Sequence, residues 1–203
     1  MQIYQKFLKE NNDMGNNRIV SLDTETTGLK VEDGHRIIEL AMVEIIDWKI
    51  ADSWHSYFNP CRSVDPGALE KHGITYDSLI GEPLFKYKAM DIMRFIGDSA
   101  LVIHNAPFDL AFLNAELARS SFSIDDDICG ISPETNIIID TCALSRVYHP
   151  GQPASLDACL DRYGVDRSMR VKHGALIDAT LLANLYINMC CSNCVNIVDM
   201  IKE

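Results

Sequence analysis

Residues 19–29 read Ile19-Val20-Ser21-Leu22-Asp23-Thr24-Glu25-Thr26-Thr27-Gly28-Leu29, an apolar run followed by two carboxylates two positions apart. Residues i and i+2 of a β-strand point to the same face, so Asp23 and Glu25 can converge on one point where the strand ends. Two adjacent acids repel each other unless a positive charge lies between them. A bound Mg²⁺ or Mn²⁺, both of which accept oxygen ligands, explains the pair, as would two solvated acids before a sharp turn at Gly28.

The composition is that of an ordinary globular protein and excludes several other classes. The chain has 203 residues, of which 47% are hydrophobic and 23% charged, enough for one domain with a full core. No apolar run is long enough to cross a bilayer, and polar residues 1–17 do not resemble a signal peptide. The seven scattered cysteines, an odd number, favour free thiols. We therefore expect a cytoplasmic protein that has no membrane partner.

The net charge of −11 has the wrong sign for a protein that grips a long duplex through its phosphates. It does not exclude nucleic acid, because a metal site needs clustered acids and its cations supply positive charge locally.

Two other features could suggest metal sites but are better explained without a metal. Residues 125–127 are three consecutive aspartates that suit a solvated loop, and Cys191-Ser-Asn-Cys194 has zinc-knuckle spacing but no second pair.

Hydrophobic periodicity predicts an α/β fold in which strands and helices alternate after an initial group of three strands. The five predicted strands are Arg18–Leu22, Ile37–Ile46, Ala51–Phe58, Leu101–Ile103 and Asn136–Asp140. The predicted helices are Pro66–His72, Pro83–Ile96, Pro107–Ala118, Ser155–Arg162 and Ala175–Met189. A hairpin turn at residues 47–49 and an acidic loop at residues 121–135 complete the prediction.

A second informative segment places a carboxylate just after a strand. In His104-Asn105-Ala106-Pro107-Phe108-Asp109, a short strand runs into a helix whose first turn carries Asp109. That acid could simply interact with the helix dipole, or it could ligate a metal. His104 and Asn105 could hydrogen-bond within the loop or help to place a substrate.

A third segment is His173-Gly174-Ala175-Leu176-Ile177-Asp178, in which a histidine precedes a helix whose second turn is predicted to carry Asp178. A helix-borne carboxylate suits a metal ligand, and a histidine on a loop suits a general base because its ordinary pKa lies near neutrality. Taken alone, both could be surface residues. Together the three segments supply four carboxylates and one histidine, which suit two oxygen-bound metals and an in-line attack on phosphorus.

These residues resemble the motifs of the DEDD superfamily of 3′→5′ exonucleases, in the DEDDh variant that uses histidine as the base. The pair Asp23 and Glu25 resembles the first motif, residues 104–109 the second and residues 173–178 the third. Flanking segments at residues 64–66, 71–74 and 155–158 are similar to those of the proofreading epsilon subunits of bacterial DNA polymerase III. The resemblance covers residues 17–188, which leaves residues 1–16 as a lead-in and residues 189–203 as a short tail.

The resemblance implies an RNase H-like exonuclease fold, an α/β architecture with a five-stranded mixed sheet flanked by helices. It also implies a phosphodiester hydrolase with two divalent cations, Mg²⁺ or Mn²⁺, in its site. The catalytic metal would be held by Asp23, Glu25 and Asp178. The second metal would share Asp23 and be completed by Asp109, and His173 would be the general base.

The implied substrate is a single-stranded or frayed DNA 3′ end, hydrolysed to nucleoside 5′-monophosphates during proofreading. The candidates for contacts to this substrate are Thr24, Thr26, His72, His104 and Asn105. The implied partner is the alpha subunit of DNA polymerase III, although residues 189–203 show no Gln-rich clamp-binding motif. Three alternatives stay open: a 3′→5′ RNA exonuclease that trims RNA or degrades oligoribonucleotides, a catalytically silent polymerase-binding subunit, and a regulatory protein that binds a nucleotide or metal without turnover.

Overall fold

The computed structural model describes residues 18–120, 130–131, 135–170 and 172–200, with side chains described as far as residue 191. The predicted lead-in, most of the acidic segment 121–135 and the side chain of Cys194 lie outside these described residues. Within the described part of the chain, no helix is long and apolar enough to cross a membrane.

Five strands form one mixed sheet in the order β3-β2-β1-β4-β5. The strands are β1 (Arg18–Thr26), β2 (Ile37–Ile46), β3 (Lys49–Tyr57), β4 (Ala100–Ile103) and β5 (Ile138–Asp140). β2 runs antiparallel to both β1 and β3, whereas β4 runs parallel to β1 and β5 runs parallel to β4. The predicted five-stranded mixed sheet is thus confirmed, and β1, the strand with the paired acids, is its central strand.

Seven α-helices and two 3₁₀ turns, at Val31–Asp33 and Phe85–Tyr87, accompany the sheet in the described residues. The α-helices are α1 (Pro66–His72), α2 (Tyr76–Leu79), α3 (Ala89–Ile96), α4 (Ala106–Arg119), α5 (Thr141–Tyr148), α6 (Leu156–Arg162) and α7 (Ala175–Met200). Local chemistry explains several ends. Ser155 caps α6 by accepting a hydrogen bond from the Ala158 N–H, and Gly73 ends α1 with a φ of 74°.

The helices cover the two faces of the sheet, each over its own apolar core. One core joins β2 and β4 to α6 and α7, and the other joins β1 and β4 to α3 and α4. In β1, Val20 and Leu22 belong to the α3/α4 core, while the Ser21 hydroxyl donates to the Ala179 carbonyl of α7 at 2.8 Å. Because side chains alternate along a strand, Asp23 and Glu25 share the α7 face with Ser21.

The first strand and the hairpin differ from the prediction for reasons of pairing. β1 extends through Thr26, four residues beyond the predicted end, because β2 continues to pair with it past Asp23 and Glu25. The acids therefore lie within the strand, not beyond it. The hairpin turn consists of Asp47 and Trp48 alone, with φ values of 50° and 62°, so Lys49 already belongs to β3.

Several helices also differ from the prediction. The predicted helix over residues 83–96 is divided into a 3₁₀ turn and α3, with Lys88 between them at a φ of −111°. The sequence reading missed α2 and α5, and α5 begins where β5 ends, with Asp140 accepting from the N–H groups of Cys142 and Ala143. α7 continues without a break through residue 188, the predicted end of the exonuclease domain.

Candidate active site

Four carboxylates and one histidine from three distant segments meet in one cavity of about 1190 Å³. Asp23 and Glu25 come from β1, while Asp109 and Asp178 lie in the first turns of α4 and α7. His173 lies two residues before the start of α7. All five predicted catalytic positions therefore line one cavity, with Asp178 in the first turn of its helix where the second was predicted.

The two faces of β1 connect the site to two different helices. Asp109 on α4 accepts hydrogen bonds from the backbone N–H of Thr24 at 3.1 Å and from its hydroxyl at 2.7 Å. These bonds fix the carboxylate of Asp109 to the strand that carries Asp23 and Glu25. The threonine between the two acids thus serves as the attachment point for a third acid.

The position of α7 is set by a buried acid on β2. Glu39 accepts a hydrogen bond from the backbone N–H of Ala175, the first residue of α7, at 3.1 Å. Its other carboxylate oxygen lies 2.8 Å from Nε2 of His55. Since Glu39 is also the β2 partner of Glu25, one strand register places the start of α7 beside the acids of β1.

The start of α4 is held by Asp140 at the end of β5. The Asp140 carboxylate accepts hydrogen bonds from the N–H groups of Asn105 and Ala106 at 3.1 and 3.2 Å. Asn105 has a φ of 71°, a left-handed conformation that turns the chain from β4 into the helix. This carboxylate therefore caps both α4 and α5 and sets the position from which Asp109 reaches the site.

Enclosure and mutual repulsion raise the pKa values of three of the acids. Burial and the neighbouring charges of Asp109, Glu25 and Asp178 raise the pKa of Asp23 well above its usual value. Burial, followed by repulsion from Asp178, raises the pKa of Glu25 to about 8. Burial also raises the pKa of Asp109 to about 7 against the lowering effect of its hydrogen bonds from Thr24. Without a cation, this group of acids resists full ionisation.

Asp178 differs because it has a cationic partner. The Arg170 guanidinium donates to its two oxygens from Nε at 2.6 Å and from Nη2 at 2.7 Å. Burial opposes ionisation here too, but these bonds and the proximity of His173 hold the pKa of Asp178 below its usual value. Nη2 of Arg170 also lies 2.9 Å from Nδ1 of His173, so the guanidinium contacts both functional groups at the start of α7.

The donor atoms present suit a divalent cation. Ligand atoms of Glu25, His173 and Asp178 lie within 4.8 Å of one another, and Asp23 and Asp109 line the same cavity. Carboxylate oxygens suit Mg²⁺ and Mn²⁺, and an imidazole nitrogen is a further ligand that Mn²⁺ accepts. The raised pKa values of Asp23 and Glu25 also indicate a cation site, because closely spaced acids are most easily ionised together when a cation lies between them.

The predicted substrate-binding residues all line the cavity, but several already have partners within the protein. The Thr26 hydroxyl donates to the Gly28 carbonyl at 2.7 Å, and the Thr24 hydroxyl is bound to Asp109. Both ring nitrogens of His104 are engaged, Nδ1 with the Thr141 hydroxyl at 2.9 Å and Nε2 with the Ala154 carbonyl at 3.0 Å. The bonds of His104 therefore reach distant segments and not its own loop, as one alternative had it, and a substrate contact stays a prediction.

His72 and Asn105 keep more freedom to meet a substrate. In His72, Nδ1 accepts the Ile74 N–H at 3.0 Å, while Nε2 is buried and has only a weak interaction with the backbone of Thr26. Asn105 is exposed at the rim of the cavity. The chain bends at residues 27–29, as expected for a turn at Gly28, although this glycine does not adopt a positive φ. A Cβ atom there would lie 2.2 Å from the ring of His35, so the close approach of that ring requires glycine.

Sequence reasoning missed four residues that shape the site: Glu39, Asp140, Asp157 and Arg170. Three of them are acids that accept bonds from other elements, and the sequence carries no sign of those distant partners. Arg170 precedes His173 by three positions, and a basic residue so close to a predicted general base was the one available signal. The similarity noted for residues 155–158 included Asp157 without assigning it a role.

Comparison with known proteins places this chain in an established family. Residues 20–186 match a family model, RNase T, described as an exonuclease. The chain is 41% identical to the DNA polymerase III subunit epsilon of Haemophilus influenzae, with 85% of this chain and 67% of that protein aligned. It is 44% identical to the corresponding subunit of Rickettsia prowazekii, with 86% and 74% aligned.

Solved structures support the fold. Exonuclease X in complex with 5′ overhanging duplex DNA aligns with a TM-score of 0.62 at 25% identity, over 86% of this chain and 92% of that one. Exonuclease I aligns with a TM-score of 0.69 at 16% identity, over 84% of this chain and 40% of that one, and supports the fold alone. The predicted RNase H-like exonuclease fold is confirmed.

Proposed function

This chain belongs to the exonuclease family and, within it, to the DNA polymerase III epsilon subunits, and we propose that it removes nucleotides from DNA 3′ ends. It acts as a 3′→5′ exonuclease that hydrolyses single-stranded or frayed ends to nucleoside 5′-monophosphates during proofreading. The observation that carries this function is the meeting of four carboxylates and His173 in one cavity, in a chain of this family. A mismatched end frays more easily than a paired one, which directs the activity toward errors.

The family depends on divalent metals, and we propose that the acids of this chain hold two of them. Asp23, Glu25 and Asp178 would hold one cation, and Asp23 and Asp109 would hold the other. The support is the convergence of Glu25 and Asp178, together with the attachment of Asp109 to Thr24 between the two strand acids. Bound Mg²⁺ or Mn²⁺ would supply an activated water and stabilise the charge that develops on the phosphoryl group.

His173 is proposed as the general base. Its side chain is 46% exposed and lies at the start of α7, where the imidazole can reach a water in the cavity. Nδ1 lies 3.3 Å from an Asp178 oxygen and 2.9 Å from Arg170, so the ring is oriented by the residues that hold the neighbouring carboxylate. A positioned base of this type takes the proton from water as it attacks phosphorus.

Three cations at the cavity support a nucleic-acid substrate despite the net charge of −11. Lys30, Lys71 and Arg146 line the cavity, and none of them forms an ion pair with an acid in the described part of the chain. Unpaired cations beside a polyanionic strand contribute affinity through its phosphates. Three free positive charges thus line the same cavity as the acids that would hold the metal.

The relatives are polymerase subunits, which implies a DNA polymerase as the partner of this chain. We infer that this partner is the alpha subunit of DNA polymerase III and that the complex acts in the cytoplasm. The names of the relatives support this association, because a proofreading subunit acts on the primer end that a polymerase extends.

The test uses single-stranded DNA and RNA oligomers of one sequence, labelled at either the 3′ or the 5′ end, with Mg²⁺, Mn²⁺ or EDTA. We expect metal-dependent shortening from the 3′ end, with DNA degraded faster than RNA. A primer with a mismatched 3′ end should be degraded faster than a fully paired one. Asp23→Asn serves as the inactive control, and Asp52→Asn, an exposed acid on β3, serves as the matched active control.

Faster degradation of RNA would identify an RNA exonuclease that uses the same active site. Binding of Mg²⁺ without any product would instead indicate a silent or regulatory protein. Either result would overturn the proposed function.

A further inference from the structure

One side chain inside the active site has no role in the two-metal scheme. Arg170 is 7% exposed and donates to both oxygens of Asp178, at 2.6 and 2.7 Å. A planar guanidinium matches a carboxylate in this two-point geometry, which a lysine cannot reproduce. Both oxygens of a proposed metal ligand are therefore occupied by a cation that belongs to the protein.

The surroundings of Arg170 explain why a positive charge is held there. Asp23, Glu25, Asp109 and Asp178 line one cavity with Arg170, and the charge of Arg170 acts on both strand acids, lowering their pKa values against the effect of burial. The free cations that line the cavity, Lys30, Lys71 and Arg146, do not pair with any of these acids. Within the described residues, Arg170 is the arginine or lysine that forms an ion pair with the acidic cluster.

A second carboxylate gives this guanidinium an alternative anchor. Nη1 of Arg170 donates to Asp157 of α6 at 2.7 Å, outside the acidic cluster. Asp157 is 44% exposed and is not one of the four clustered acids, so a metal bound by the cluster does not compete for this pair. Arg170 is thereby attached to α6 on one side and to the start of α7 on the other, through Asp178 and His173.

We propose that Arg170 is the internal counter-cation of the site: it holds Asp178 and His173 in place before a metal binds, and it competes with the metal for Asp178. A cation that uses Asp178 must take at least one oxygen from the guanidinium, which stays attached to Asp157. Arg170 is thus a positioning residue, and it couples metal entry to the arrangement of His173. This inference rests on Asp178 being a metal ligand, as the proposed function has it.

The experiment measures metal binding and not hydrolysis, so it is separate from the test of the nuclease activity. Mn²⁺ affinity is measured by electron paramagnetic resonance for the full chain and for Arg170→Gln and Arg170→Lys. Removal of one unit of competing charge at contact distance should tighten Mn²⁺ binding by about tenfold in Arg170→Gln. Arg170→Lys, which keeps the charge but loses the two-point contact, should lie between this variant and the unmodified protein.

Thermal unfolding in EDTA and in Mg²⁺ supplies the second measurement. We expect Arg170→Gln to unfold at a lower temperature in EDTA and to gain more from Mg²⁺ than the unmodified chain does. Arg167→Gln is the matched control, because Arg167 pairs with Asp161 and Asp157 but not with Asp178. That variant should keep the Mn²⁺ affinity within about twofold.

Weaker or unchanged Mn²⁺ binding in Arg170→Gln would overturn the inference, since an arginine that merely supports a metal ligand strengthens binding. The lysine variant decides the matter if the glutamine variant does not fold. If the unmodified chain binds no Mn²⁺ at all, the metal site itself fails, and the proposed function fails with it.

Discussion

Asp109 and Asp178 occupy the same place in two different helices, yet their chemistry is opposite. Each lies in the first turn of its helix, α4 or α7, and each is almost fully buried. Asp109 accepts hydrogen bonds from Thr24, and burial raises its pKa to about 7. Asp178 is bound by Arg170, and its pKa lies below the usual value. The partner, and not the position in the helix, decides the ionisation.

The different ionisation of Asp109 and Asp178 affects how the site can bind cations. A carboxylate that is already ionised and oriented loses no proton when a metal binds, whereas one with a raised pKa gains charge when the metal arrives. The α7 side of the site is therefore the preorganised one. On the α4 side, Asp109 becomes fully ionised only when a metal binds.

Removal of Asp23 should impair both proposed metal positions at once. Asp23 lies in β1 between the two helices and repels both Asp109 and Asp178. We expect Asp23→Ala to lower the exonuclease rate by at least about 10³-fold at any Mg²⁺ concentration, because a shared ligand is lost. The measurement is single-turnover degradation of a labelled oligomer over a Mg²⁺ titration. Residual activity above about a tenth of the normal rate would remove Asp23 from this role.

His173→Ala affects the α7 side alone. The expected loss of rate is roughly 10²–10⁴-fold, the contribution of a positioned general base. Mn²⁺ binding should be largely unchanged, since the acids remain. Calorimetric titration with Mn²⁺ checks this prediction beside the rate measurement. A collapse of metal affinity would show that His173 is a ligand, which its distance of less than 4.8 Å from the donor atoms of Glu25 and Asp178 allows.

Neutralising one helix acid at a time tests the comparison directly in metal-free protein. Asp178→Asn removes the buried carboxylate that pairs with Arg170 and leaves Asp157 and His173 as its partners, so we expect the free energy of unfolding to fall by about 1–3 kcal/mol. Asp109→Asn keeps an oxygen for Thr24 and removes a charge beside Asp23, so stability should be unchanged or higher. Urea unfolding in EDTA measures both variants. Equal losses of unfolding free energy in the two variants would mean that Asp109 and Asp178 do not differ in the way described.

The dependence of stability on pH should also separate the two acids. For Asp109 the pKa is about 7 in the folded chain against an ordinary 3.8, so the folded state binds the extra proton. Stability from this group is present at low pH and is lost as the pH rises from about 4 to 7. For Asp178 the lowered pKa has the opposite sign, and its contribution is lost only as the pH falls below about 4.

Urea unfolding in EDTA at a series of pH values checks this prediction. The decline between pH 4 and 7 should be shallower in Asp109→Asn than in the unmodified chain. The same decline in stability between pH 4 and 7 should persist in Asp178→Asn. A decline that Asp109→Asn does not change would assign the proton to Glu25 or Asp23 instead.

Much of the cavity's acidic lining could be predicted, because these residues are marked by short-range patterns. Asp23 and Glu25 follow an apolar strand, and the segments at residues 104–109 and 173–178 place an acid near a helix start. The strand ends were less predictable, because β1 continues for as long as β2 pairs with it. Helix α5 was missed because its capping residue, Asp140, is also the last residue of a strand.

By itself, the sequence predicted five catalytic positions, which the structure brings to one cavity, and it determined the alternation that puts both acids of β1 on one face. These are local properties, set by residue type and by the period of a strand. Only the tertiary structure decided the partners: Thr24 for Asp109, Glu39 for the start of α7, and Arg170 for Asp178. Such contacts join segments up to 136 residues apart, and the charge state of a buried acid depends on the group that the fold places beside it.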